Sequence, residues 1–134
     1  MIEKAAVVCA ARHYLGVRWH HQGRSTAGVD CLGLIVCTAR DLGIDEARHD
    51  LKAYARLPSN GVMERRLSCY LSPGNCDVGD ILLFRFSGEP QHLGIVTDYG
   101  MIHAFIQAHK VVEHRLDEVW RSRIVRSFSF PGVC

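Results

Sequence analysis

The sequence predicts an α+β domain in which N-terminal helices pack on a C-terminal antiparallel sheet. Three observations lead there. Apolar residues recur at helical spacing through residues 5–71, and after Gly79 they gather into strand-length runs. The connections between those runs are too short to hold the crossover helices that a parallel sheet needs.

Ala5, Val8, Ala11 and Leu15 mark a first helix, stopped at Gly16. Residues 16–30 form a polar, Gly-rich loop. Leu32, Ile35, Ala39 and Leu42 mark a second helix, with Gly43 as its C-terminal cap. Met63, Leu67, Tyr70 and Leu71 mark a third, ended by Pro73-Gly74-Asn75. Ile81 to Phe86 reads as a strand and Ser87-Gly88-Glu89-Pro90 as a turn. Strands follow over Leu93 to Thr97, Met101 to Ile106 and Val111 to Glu113. Leu116 to Trp120 has room for one helical turn, and Phe128 and Phe130 share one face of a last strand. With no repeat and no dividing linker, residues 1–134 read as a single domain, long enough to bury a core without staples.

Hydrophobic residues at 48% and charged residues at 22% belong to an ordinary soluble globular chain. A net charge of +2 is too slight to argue for a nucleic-acid partner, which would call for a basic patch and a higher pI, so none is expected. No run approaches the roughly 18 apolar residues of a membrane span. The apolar run Ala5 to Ala11 follows Glu3, ends at Arg12 and continues into a patterned helix, so it reads as structure and no signal peptide is expected. Synthesis in the cytoplasm is expected, and with it six free thiols in place of disulfides. Cys9, Cys37 and Cys69 fall in helical patterns and are expected to be small buried residues. No C-x-x-C or H-x-x-x-H occurs, and the spacings argue against a metal site.

Cys31 stands where the polar loop becomes the second helix, in Val29-Asp30-Cys31-Leu32-Gly33-Leu34. A helix N-terminus stabilises a thiolate and can lower a cysteine pKa from about 8.5 to roughly 3.5–7.5. Gly33 removes a side chain from the first turn, leaving room for backbone to approach substrate. On location alone, Cys31 is either a nucleophile or one more buried cysteine. His92, in His92-Leu93-Gly94-Ile95, and His103, in the next strand, supply a base and an orienter for it. His92 would take the thiol proton, and His103 would accept a hydrogen bond from its second nitrogen.

That arrangement sets a condition on register. Opposed residues of an antiparallel pair have numbers that add to a constant, and His92 and His103 share a face only if that constant is odd. A two-residue loop, Asp98-Tyr99, meets the condition by placing residue 97 opposite residue 100 and His92 opposite Phe105.

At these residues the chain resembles the NlpC family of cell-wall cysteine peptidases, which read D-C-S-G-L at the nucleophile, H-x-G-I at the base and often H-A at the third position. The matching segments here are Asp30 to Leu34, His92 to Ile95 and His103-Ala104, in the same order. Gly79-Asp80 before an apolar strand fits the family's G-D-L. Trp120-Arg121-Ser122-Arg123 and Phe128-Ser129-Phe130-Pro131 fit the W-x-x-R…F-x-F-P tail of its phage and prophage branch. The resemblance covers most of the chain and implies a papain-like fold with Cys31, His92 and His103 as the catalytic set. It implies hydrolysis of the D-glutamyl–diamino acid bond in a peptidoglycan stem peptide, without a cofactor. Phage tail proteins are the expected partners and the expected route to the wall.

Two positions depart from the family. Trp19 stands where a tyrosine usually donates to the oxyanion; indole N–H can donate too, and structural packing of Trp19 is an equal alternative. Leu32 replaces the serine that, with the aspartate, holds a substrate amine. Asp30 is then either an amine ligand or, by preference, the helix cap. His20 and His21 are expected at the cleft rim, in contact with solvent or substrate. An acyltransferase using the same Cys-His site, or a non-catalytic tail component keeping the fold, are the alternative functions.

Overall fold

The computed structural model describes residues 1–49 and 61–134. Helix α1 (Lys4–Arg12) turns Val7, Val8 and Ala11 inward. The polar loop that follows is not wholly irregular, since it contains a small hairpin, β1 (Arg24–Ser25) with β2 (Gly28–Val29). Helix α2 (Cys31–Asp41) buries Leu34, Ile35, Cys37 and Ala39. Its buried Thr38 hydroxyl is satisfied within the helix, donating to the Leu34 carbonyl at 2.7 Å. Gly43, at φ +75°, ends it in the left-handed cap expected of glycine. A 3-10 turn (Asp45–His49), helix α3 (Val62–Tyr70) and a short strand β3 (Ser72–Pro73) precede the main sheet strands.

Strands β4 (Ile81–Phe86), β5 (Glu89–Val96), β6 (Met101–Phe105), β7 (Lys110–His114) and β8 (Ile124–Ser129) join β3 in one antiparallel sheet, ordered β3-β8-β4-β5-β6-β7. Helix α4 (Glu118–Ser122) lies between β7 and β8, capped by the Asp117 side chain accepting from the Trp120 N–H at 3.0 Å. The β4–β5 turn is tighter than expected. Ser87 and Gly88 both take positive φ, and Glu89 and Pro90 already belong to β5.

Both faces of this sheet are covered, which is why β4 reads as an unbroken apolar run rather than an alternating one. Ile81, Leu83, Leu93, Ile95, Ile102 and Ala104 share a core with α1 and α2. Leu82, Phe84, Val96 and Met101 form a second cluster on the other side, closed by Leu116, Trp120 and Ile124. Two helix positions differ from expectation: Cys37 is buried, but Cys9 and Cys69 are exposed. They sit on the outward stripe of α1 and α3, where periodicity of the larger apolar residues already fills the inner face. Among the described residues no helix is long and apolar enough to cross a membrane.

Candidate active site

Helix α2 starts where it does because Asp30 caps it. One carboxylate oxygen of Asp30 accepts from the Gly33 N–H at 2.7 Å and from Arg24 Nη1 at 3.2 Å. The other accepts from the Gln22 N–H at 2.7 Å and lies 4.0 Å from His21 Nδ1. Asp30 is only 3% exposed, so these contacts hold a buried carboxylate between a helix start and a guanidinium. The space beside Gly33 is taken by the protein's own backbone: a Cβ there would lie 2.1 Å from the Gly23 carbonyl oxygen. The room left by the missing side chain is therefore occupied on its Cβ side. It admits the loop that positions Asp30.

The cap leaves Cys31 as the first residue of α2, partly exposed, with its Sγ donating toward the Gln91 carbonyl at 3.9 Å. Gln91 immediately precedes His92, so the helix start and β5 meet at this point. His92 Nε2 lies 2.6 Å from His103 Nδ1. The register condition holds: Ile95 opposes Ile102 and Val96 opposes Met101, pairs that add to 197, an odd constant. Thr97 N–H donates to the Gly100 carbonyl across the two-residue loop at 2.9 Å. His92 and His103 are diagonal neighbours on one face, as that register requires.

Two residues that sequence reasoning did not assign to the site lie beside the pair. His103 Nε2 is 2.8 Å from His114 Nε2, and His114 Nδ1 is 2.8 Å from the Arg115 carbonyl. The same arithmetic could have found His114. In the β6–β7 register His103 opposes Val112, so His114 is one diagonal step away on the same face. The ring of Trp120 lies 6.0, 5.0 and 5.4 Å from the rings of His92, His103 and His114. Phe86 stacks on His92 and Phe105 on His103, each at 4.9 Å.

This enclosure sets the protonation states. Burial lowers His92 to about 3, helped by the nearby Arg123 and His114. Burial, then His92 and His114, lowers His103 to about 2. Burial first and the Asp30 charge second push the Cys31 thiol up to about 12, against the backbone N–H groups of Leu93 and Leu32. The helix terminus favours a thiolate, and burial beside the Asp30 charge opposes it.

Trp19 is half-buried, packs against the main core and stacks near His21 at 6.5 Å. Its backbone N–H donates to the His109 carbonyl at 2.8 Å. His20 is exposed, and its Nδ1 donates to the His21 carbonyl at 2.9 Å. Among the described residues, no group of three or more His, Cys, Asp or Glu side chains is arranged to hold a metal ion.

The NlpC/P60 family model matches residues 16–128. The murein DD-endopeptidase MepS/murein LD-carboxypeptidase of Escherichia coli K12 is 23% identical over 122 residues, covering 90% of this chain and 59% of that protein. The chain thus spans about three fifths of the length of the curated relatives it matches. The NlpC/p60 domain of the peptidoglycan hydrolase SagA superposes with a TM-score of 0.61 at 20% identity, covering 96% of this chain and 100% of that one. An NlpC/P60 family protein from Bacillus cereus gives 0.65 at 16% identity, covering 92% and 39%. These structures share the papain-like α+β fold.

Proposed function

The chain belongs to the NlpC/P60 family, and from that premise we propose that it is a cysteine peptidase hydrolysing an amide in the peptide stem of peptidoglycan. The observation that carries the reading is the 2.6 Å bond between His92 and His103 on strands that meet the start of the Cys31 helix. The E. coli relative is named for murein endopeptidase and carboxypeptidase activities, and SagA is named a peptidoglycan hydrolase, which supports this substrate class.

In this mechanism His92 Nε2 is engaged by His103, so Nδ1 is the nitrogen that takes the thiol proton as the substrate carbonyl arrives. Sulfur attacks the carbonyl carbon, and the imidazolium gives its proton to the leaving amine. Water, deprotonated by His92, then releases the acyl-enzyme and restores the thiol. The Cys31 backbone N–H and the Trp19 indole are the proposed oxyanion donors; removing one such donor typically costs about 2.7–4 kcal/mol of barrier. Asp30, engaged by Gly33, Gln22 and Arg24, acts as the cap that sets Cys31 in place. The scissile bond proposed is D-glutamyl–diamino acid, on the sequence resemblance, and the tail motif supports delivery to the wall with a phage tail.

Purified muropeptides incubated with the protein and analysed by mass spectrometry test this. Cleavage after D-glutamate, lost in Cys31→Ala while the thermal melt is kept, is expected. Cleavage only at a D,D cross-link would overturn the bond assignment, and transfer of the acyl group to an added amine in place of water would overturn hydrolysis. No product from any muropeptide would overturn the reading as a whole.

A further inference from the structure

Three histidines at intervals of eleven residues cross three neighbouring strands diagonally, and the row ends on a backbone carbonyl. We infer that His114 is a positioning residue: with the Arg115 carbonyl it fixes the direction of proton donation along His92–His103–His114, so that His92 presents a bare Nδ1 lone pair to the thiol. The inference rests on the peptidase reading of Cys31 and His92 and extends it two residues outward.

The direction follows from counting protons. A neutral imidazole has one N–H and one lone pair, and a backbone carbonyl has lone pairs only. The 2.8 Å contact to the Arg115 carbonyl therefore needs the proton of His114 on Nδ1. That leaves His114 Nε2 as an acceptor, so His103 donates to it from Nε2 across 2.8 Å. His103 Nδ1 is then an acceptor in turn, and His92 donates from Nε2 across 2.6 Å. The remaining nitrogen of His92, Nδ1, is unprotonated and basic. Reversing the row with neutral rings would set a nitrogen lone pair against the Arg115 oxygen at hydrogen-bond distance, a repulsive contact in place of a hydrogen bond. Burial keeps His92 and His103 from taking a second proton. Trp120 lies against all three rings.

Without His114, the His103 ring would lose the acceptor that tells it which nitrogen to protonate, and His92 would lose its fixed tautomer with it. A tautomer defect lowers kcat rather than raising KM, because substrate still binds.

The test uses the full chain labelled with nitrogen-15 at histidine, with long-range proton–nitrogen correlation spectra recorded at mildly alkaline pH. The expected result is His92 and His103 protonated on Nε2 and His114 on Nδ1. His92 protonated on Nδ1 would overturn the inference. Muropeptide kinetics add a crossover. His114→Phe keeps a ring against Trp120 but no acceptor, and should lose roughly tenfold in kcat, about the worth of one hydrogen bond, with KM little changed. His114→Gln keeps an acceptor at similar reach and should recover the greater part of that loss. A full-activity Phe variant beside an impaired Gln variant would show packing alone and overturn the inference. A wild-type chain inactive on every muropeptide, yet showing the expected tautomers, would sink the peptidase reading and leave the proton row standing.

Discussion

Two imidazoles buried in a neutral state make this fold sensitive to acid. His92 is 6% exposed and His103 0%, and among the described histidines they are the buried ones. Both are held below the usual histidine value, to about 3 and about 2. The unfolded chain protonates both near pH 6.5, and the native chain does not until far lower. Stability is therefore constant above that pH with respect to these groups and falls as the pH drops below it. Once the unfolded state holds two more protons than the native one, the slope approaches about 2.7 kcal/mol per pH unit, twice the 1.36 kcal/mol of a single site. The window from about pH 6 to pH 5 isolates them, because carboxylates such as Glu113 and Asp98, lowered by bonding to Arg12, exchange protons with the unfolded state at lower pH. Urea unfolding across that window measures the slope directly. His103→Gln should halve it, and His92→Gln with His103→Gln should remove it, whatever either change does to absolute stability. A double variant that keeps the wild-type slope would refute the claim that these rings are buried neutral.

Other outcomes follow from the same site. Asp30→Ala should cost at least the ~1 kcal/mol of a lost cap, rising toward the ~3–5 kcal/mol of a broken buried ion pair with Arg24, and Asp30→Asn should cost less; denaturant midpoints separate these. Gly33→Ala drives a methyl into the Gly23 carbonyl and should destabilise by about 1–3 kcal/mol, read as a lower melting temperature; an unchanged melt would mean the loop yields freely. Near neutral pH, iodoacetamide should alkylate exposed Cys9 and Cys69 ahead of Cys31 in the substrate-free protein, with Cys31 gaining as the pH rises; peptide mapping that finds Cys31 first would show a thiolate already formed at rest.

The fold was legible because its signals are local. Ile81 to Phe86 coincides with β4, and the turn at Asp98-Tyr99 sets the register that brings His92 to His103. Strand parity is arithmetic on sequence numbers, so the pairing of two histidines eleven positions apart needed no tertiary information. The surroundings of Cys31 were legible only in part. Its placement at a helix start is a sequence fact, but its protonation state depends on what covers it, and the cover comes from segments sixty residues away at Gln91 and Leu93. The approach of Gly23 to Gly33 likewise joins two parts of a loop whose hairpin carries no hydrophobic pattern.

Burial does opposite things to the two reacting groups, and this is what the site has to resolve. It disfavours the thiolate and the imidazolium separately, so a charge-separated pair at rest would leave both ions short of water. A substrate carbonyl changes the balance, because the negative charge leaves sulfur for an oxygen that backbone N–H groups can meet, while the new imidazolium is met by His103. His103 can answer that charge only by offering a lone pair on Nδ1, and it has one only while its own proton is drawn to Nε2 by His114. The third and fourth members of the row thus bear on the step in which charge first appears, even though the Arg115 carbonyl that sets their direction lies at the far end of the row from the thiol.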